Sequence, residues 1–318
     1  MDEPRSLYQR WRFALKPASW PKLFVPTFFG HALGAAHRGF LDLEAVALGA
    51  AWTFLLLVAI VTLNDVADRD VDALKRRIYP NASKKTIPDR VLPAHHLLFA
   101  GLGAMVLLFG YGFFLQDWSQ RPGFGLITLA AFSIFGAYSL PPVRLNYRGG
   151  GELLEMVGVG IALPWLHAYL QGGLGAPSAA WIPKCAPLLL GTGLLALASA
   201  AASGLADEVS DRRGGKRTLT TTLGNAACRR LTEALVFAGA AALVLVGLLA
   251  EHVPLLATLP PAALIAYRAR RMQAISTDAV TGAFDAMGRY KAELHAAIWK
   301  GTELLAALLI LFRVFLRP

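Results

Sequence analysis

Apolar and polar positions along this chain do not alternate. They fall into blocks, and the apolar blocks approach the ~20 residues that an α-helix needs to cross a hydrocarbon layer. Nine blocks are legible, at about residues 19–36, 43–63, 97–115, 124–140, 152–170, 188–206, 231–249, 254–269 and 296–312. Backbone groups in lipid must be paired within the segment, so sustained apolar blocks predict spanning helices; a membrane barrel would show short alternating strands. The eighth block is short, and Pro260 and Pro261 interrupt it, which predicts a kink. The expected fold is an all-α membrane protein with nine transmembrane helices, one domain over residues 1–318.

Composition agrees with this pattern. Of the 318 residues, 55% are hydrophobic and 16% charged, against about 25% charged in an ordinary soluble chain. Mean hydropathy is +0.48. The first sixteen positions are charged and no short apolar region with a small-residue cleavage site follows, so no cleavable leader is expected.

Parity and charge then orient the chain. With nine spans, the second and sixth both run toward the side that holds the N-terminus. Of the 31 Lys and Arg residues, all but Arg38, Arg121, Lys184, Arg313 and Arg317 fall on that side. Positive residues concentrate in cytoplasmic loops, so the N-terminus is expected in the cytoplasm and the C-terminus on the far side of a cytoplasmic (inner) membrane. The longer loops, 65–96, 207–230 and 270–295, lie on the cytoplasmic side too and would form a cap. Topology and anionic membrane lipid account for most of the +10 net charge, and no nucleic-acid partner is needed.

Two acidic stretches break the apolar pattern. Residues 64–72 read NDVADRDVD, directly after the second block; Asn64, Asp68 and Asp72 stand four apart and share a helical face. Residues 207–211 read DEVSD, directly after the sixth block, and Gly215, Lys216, Arg217 and Thr218 follow. A face of oxygen ligands suits Mg²⁺, which takes one or two carboxylates plus phosphate oxygens and keeps several waters. Lys84, Lys85, Arg90, Arg144, Arg148, Lys216 and Arg217 supply positive charge beside the acids. Together these would clamp a diphosphate and stabilise charge on it as it leaves. No Walker loop is present. A diphosphate clamp at the mouth of an apolar bundle points to a lipid-tailed diphosphate. The bland alternatives are solvated helix ends for the acids and ordinary topological charge for Lys84, Lys85, Arg144 and Arg148.

These residues resemble a known family. Positions 64–72 match the N-D-x-x-D-x-x-x-D motif of the UbiA superfamily of intramembrane prenyltransferases. Asp207, Asp211, Gly215, Lys216, Arg217 and Thr218 resemble its second motif, and Tyr138, Ser139, Pro142, Arg144, Leu145, Arg148 and Gly149 look like its segment after the fourth helix. The resemblance implies helices around a cavity open to lipid. It makes Asn64, Asp68, Asp72, Asp207 and Asp211 the metal–diphosphate ligands, with the four aspartates catalytic and Mg²⁺ as cofactor. Asp65, Tyr138, Glu155 and Ser203 become candidates for supporting the ligands or contacting an acceptor. Residues 145–153 look most like the menaquinone branch, whose acceptor is 1,4-dihydroxy-2-naphthoate.

Two departures stand out. Ser203 occupies the place of an asparagine that opens the second motif in many members. The usual R-P-L-x-S-G loop is replaced by residues 83–90, with Lys85 in place of its arginine. The expected reaction is Mg²⁺-dependent transfer from a polyprenyl diphosphate to a small aromatic quinone precursor. A membrane terpene cyclase, prenyl transfer to a non-aromatic or tetrapyrrole acceptor, and an ion-coupled transporter are the alternatives. Gly101, Gly103, Gly158 and Gly160 read as helix-packing positions, His167 as a hydrogen-bonded packing residue, Glu303 as a partner of Lys300, and Asp70 as peripheral.

Overall fold

The computed structural model describes the backbone of residues 6–82, 84–172, 181–250 and 253–316, and their side chains apart from 181–186. Each of the nine apolar blocks lies on a helix: α1 (Pro21–Arg38), α2 (Leu43–Ala67), α3 (Ala94–Trp118), α4 (Phe124–Ser139), α5 (Gly151–Gly172), α6 (Trp181–Ser203), α7 (Asn225–Leu249), α8 (Leu255–Ala274) and α9 (Phe284–Ile310). Among the described residues, α2, α3, α5, α7 and the stretch Pro187–Ala206 are long and apolar enough to cross a membrane. Helix α4 is apolar but has only 16 residues. Helix α8 runs on through Pro260 and Pro261 to Ala274.

Successive helices pack side by side, and α9 returns to α1. The α1–α5 contact crosses the middle and divides the bundle. One core cluster joins α1 to α6–α9, around Phe29, Leu195, Val236, Ile265 and Leu305. A second joins α1 to α2–α5, around Leu23, Trp52, Leu108, Phe124 and Leu166. The seam needs small residues on α1: a Cβ on Gly30 would lie 2.3 Å from the Pro164 carbonyl oxygen, and one on Gly34 2.5 Å from that of Ala168. Glycine lets the two backbones touch where lipid gives no hydrophobic drive to association. The expected packing roles hold for Gly101, against Leu63, and for Gly160, against Gly193; Gly103 faces open space.

Helix α5 changes pitch where it borders the interior. Met156–Ala162 is a π-helical stretch. Pro164 has no N–H to offer the carbonyl four residues back, and the Gly160 carbonyl accepts from the Thr192 hydroxyl of α6 at 2.8 Å. Farther along the seam, Thr27 and Thr53 are 2.8 Å apart and Thr53 meets His167 Nε2 at 3.0 Å, which makes His167 a hydrogen-bonded packing residue. Lys300 pairs with Glu303 at 2.8 Å.

Helices α1, α2, α4 and α5 line a cavity of about 200 Å³. Trp52, Leu56, Ile60 and Asn64 line it at one-turn intervals along α2, so it follows that helix for three turns, roughly 18 Å.

Candidate active site

Helix α2 ends at Ala67, and a short helix, Arg69–Ile78, follows after the hinge residue Asp68 (φ −96°, ψ 3°). The one-face reading of Asn64, Asp68 and Asp72 supposed a single helix. The structure breaks it at Asp68 yet keeps the register, since Asp68 N–H donates to the Asn64 carbonyl and Asp72 N–H to the Asp68 carbonyl, both at 2.8 Å. The second motif repeats this arrangement. After α6 a 3₁₀ turn, Gly204–Ala206, leads to Asp207 (φ −111°, ψ 0°) and the helix Glu208–Arg213, where Asp211 N–H donates to the Asp207 carbonyl at 2.7 Å. Each motif thus puts one aspartate at a helix junction and another one turn beyond.

The two motifs meet at the end of the bundle where the cavity opens toward Asn64. Asn64 Oδ1 accepts from the Ser139 hydroxyl of α4 and lines the cavity. Asp68 accepts from the Tyr147 hydroxyl at 3.0 Å and from Lys216 Nζ at 3.2 Å. Asp72 is paired with Lys85 at 2.7 Å, and Asp207 with Lys75. Buried Asp65, next to Asn64, is paired with Lys16.

The electrostatics follow from crowding. Burial, joined by the charges of Asp207 and Asp68, carries the Asp211 carboxyl up to about 7 against the pull of Lys216. Burial and the same two neighbours' charges raise Asp72, although Lys85 opposes them. Burial also works against ionised Asp207, yet Lys75, Lys85 and Lys291 together hold its pKa below the usual carboxylate value. Burial would lower Lys85, but the Asp207 and Asp72 carboxylates overcome it and raise it.

Local folding explains which lysines arrive. Asp89 accepts from the Lys85 backbone N–H and from Arg76 at 2.6 Å, which coils loop 84–92 back so that the Lys85 side chain reaches Asp72. The Arg217 backbone N–H donates to the Tyr147 carbonyl at 2.9 Å, joining the second motif to the segment after α4 and bringing Lys216 over the Tyr147 ring.

Other expected residues stand elsewhere. Arg144 donates to the Ala67 carbonyl at 2.5 Å and stacks on Tyr147, 3.4 Å from its ring centre, so it caps α2. Lys84, Arg90, Arg148 and Arg217 are exposed, as is peripheral Asp70. The Ser203 hydroxyl bonds back to the Ser199 carbonyl of its own helix at 2.9 Å. Tyr138 and Glu155 both line the cavity.

Sequence reasoning missed Lys16, Lys22, Lys75 and Lys291 because a cytoplasmic face accumulates lysine anyway. One signal was available for Lys75: it stands four residues after Val71 on the same buried face of the short helix.

The group best matched to this donor set is a hard divalent cation. Asn64, Asp68, Asp72, Asp207 and Asp211 can each offer oxygen, and burial, with the neighbouring carboxylates adding to it, raises Asp72 and Asp211. Among the described residues no three His, Cys, Asp or Glu side chains converge to hold a metal by themselves.

Comparison with known proteins decides the family. The model of the UbiA prenyltransferase family matches residues 23–290. The chain belongs to the UbiA prenyltransferase family. A 4-hydroxybenzoate octaprenyltransferase of Polaromonas naphthalenivorans (strain CJ2) is 28% identical over 216 residues, 68% of this chain and 66% of that one. The corresponding protein of Albidiferax ferrireducens is 29% identical over 215 residues, 68% of this chain and 64% of that one. The match thus spans just under two thirds of these relatives' length. Among solved structures, the apo UbiA homologue from Aeropyrum pernix K1 superposes with a TM-score of 0.68 at 16% identity, covering 91% of this chain and 96% of that one. A UbiA homologue from Archaeoglobus fulgidus bound to GPP and Mg²⁺ gives 0.64 at 15% identity, covering 93% and 99%. These show that the UbiA fold extends over nearly the whole chain.

Proposed function

We propose that this UbiA-family protein transfers a prenyl group from a polyprenyl diphosphate to a small hydroxyaryl acceptor of the quinone-precursor type, within the membrane and with Mg²⁺. One observation carries the reading: Asn64 lines a long apolar cavity while belonging to an acidic motif that meets a second acidic motif and its lysines at the cavity mouth. An apolar tail fits the cavity along α2, and a diphosphate fits the mouth. The names of the curated relatives support an aromatic acceptor; 4-hydroxybenzoate and 1,4-dihydroxy-2-naphthoate are the two to compare. All nine long helices cross the membrane in this reading, with the site on the cytoplasmic side.

Asn64, Asp68, Asp72, Asp207 and Asp211 would hold Mg²⁺. Bound there, the ion supplies positive charge to the diphosphate as its ester oxygen takes the electron pair of the breaking bond. Lys85 and Lys216 carry further positive charge at the same mouth. Tyr147 fixes Asp68, and Ser139 fixes Asn64. The apolar wall excludes water from the allylic cation, and Trp52, Phe135 and Tyr138 present aromatic rings to it.

Those three rings also favour a second reading, closure of the cation on its own double bonds. Purified protein incubated with Mg²⁺ and geranylgeranyl diphosphate separates the two. Prenylated acceptor formed only when a hydroxyaryl acceptor is present supports transfer. A cyclised hydrocarbon or alcohol formed without acceptor overturns it. An Asp68→Ala variant serves as the inactive control.

A further inference from the structure

The large cavity is apolar except near its mouth, and among the described residues lining it Lys22 and Glu155 are the only charged ones. Lys22 comes from the first turn of α1, and Glu155 from α5, immediately before the π-helical stretch. Their side chains meet at 2.7 Å and are 32% and 10% exposed. A partly buried ion pair is a weak source of stability, and two apolar side chains would serve a lipid tail better. The pair is also poorly aligned: Glu155 Oε1 is buried beside the ammonium without a well-directed hydrogen bond.

Two further facts give the pair a direction. Lys22 is the more exposed partner, so its ammonium can meet a second anion in the cavity while still touching Glu155. Behind the pair lies a smaller cavity of about 30 Å³, walled by Thr192, Ser199 and Thr302, with Lys22 and Glu155 as its partition from the large one. Its lining is mainly apolar, with Thr192, Ser199, Thr302 and the ion pair as its polar members, and its volume is enough for a water.

We infer that Lys22 and Glu155 select and deprotonate the acceptor. This rests on the prenyl-transfer reading above and assigns residues and roles to its acceptor side. The acceptor's carboxylate docks on Lys22. The bond from prenyl C1 to the diphosphate oxygen breaks, its electron pair leaving with diphosphate, and a ring carbon bonds to C1. The C–H electron pair then returns to the ring, and the proton passes to Glu155 and out through water in the smaller cavity. Lys22 is a specificity residue and Glu155 a catalytic one.

The test compares 4-hydroxybenzoate with phenol as acceptors for purified protein in nanodiscs, with Mg²⁺ and saturating geranyl diphosphate. The readout is the ratio of the two kcat/KM values, which partial loss of folded protein does not move. The intact protein is expected to prefer the carboxylate at least a hundredfold, Lys22→Met to reduce that preference at least tenfold through KM, and Lys22→Arg to keep most of it. Glu155→Gln is expected to lower kcat at least tenfold with KM changed less than threefold. Calorimetric titration with 4-hydroxybenzoate gives an activity-independent readout, with affinity falling at least tenfold in Lys22→Met. Unchanged preference and affinity in Lys22→Met overturn the inference while leaving prenyl transfer intact. Absence of diphosphate release by the intact protein with every donor and acceptor overturns the underlying reading instead.

Discussion

Lys75 and Asp207 stand 132 positions apart and form an ion pair that ties the short helix after α2 to the junction after α6. Lys75 is nearly buried, and Asp207 keeps partial access to solvent. The contact is one of the direct bonds that hold the two acidic motifs together. Lys75→Met is expected to lower prenyl transfer at least tenfold and also the melting temperature. Breaking a fully buried pair costs ~3–5 kcal/mol, and the solvent access of Asp207 places this one below that range. Adding Asp207→Asn should recover part of the stability but none of the activity, measured by melting and turnover of the two single variants and the double variant.

Tyr147 donates to Asp68 at 3.0 Å while Lys216 reaches the other carboxylate oxygen. Tyr147→Phe deletes one hydrogen bond of ~1.5–3 kcal/mol to a charged group. About a tenfold drop in kcat/KM is expected, against a loss of at least a hundredfold in Asp68→Asn. Equal, negligible effects in both would show that Asp68 lies outside the reaction.

Chelation by EDTA should abolish activity, and Mg²⁺ should restore it. Asp211→Asn removes one of the crowded carboxylates and is expected to raise the Mg²⁺ concentration needed for half-maximal rate at least tenfold. A titration of rate against free Mg²⁺ in both proteins measures this. Full activity in EDTA would exclude the metal reading.

Leu56 lines the cavity two turns from Asn64 along α2. Leu56→Trp should narrow it there, so turnover of long polyprenyl diphosphates falls at least tenfold while geranyl diphosphate retains most of its rate. Product analysis with a mixture of donor lengths reads this directly. A uniform loss across lengths would place the tail elsewhere.

Gly49 faces the buried His31–His167 pair, and a Cβ there would lie 2.4 Å from His31 Nε2 and 2.7 Å from His167 Nδ1. Gly49→Ala is therefore expected to destabilise by about 1–3 kcal/mol, as overpacking of a dense interior does. Thermal melting should show it, and KM for the donor should stay within threefold, since this cluster lies away from the acidic site.

The sequence by itself determined the helical blocks, the two acidic motifs and the residues that could offer oxygen to a cation. These are local properties: hydropathy over one span, and spacing within two turns of chain. It could not sort the basic residues around the motifs, for a physical reason. Lysine and arginine gather on one membrane face for topological reasons, so composition cannot separate Lys85 and Lys216, which meet Asp72 and Asp68, from exposed Lys84, Arg90, Arg148 and Arg217. Arg144 looked equally suited and instead caps the end of α2. Only the tertiary structure decided these assignments, and it alone brought Lys75 to Asp207 and Lys22 to Glu155. Which charges share a site depends on how distant helix ends and loops fold over one another, and a contact across more than a hundred residues leaves no periodicity in the chain to read.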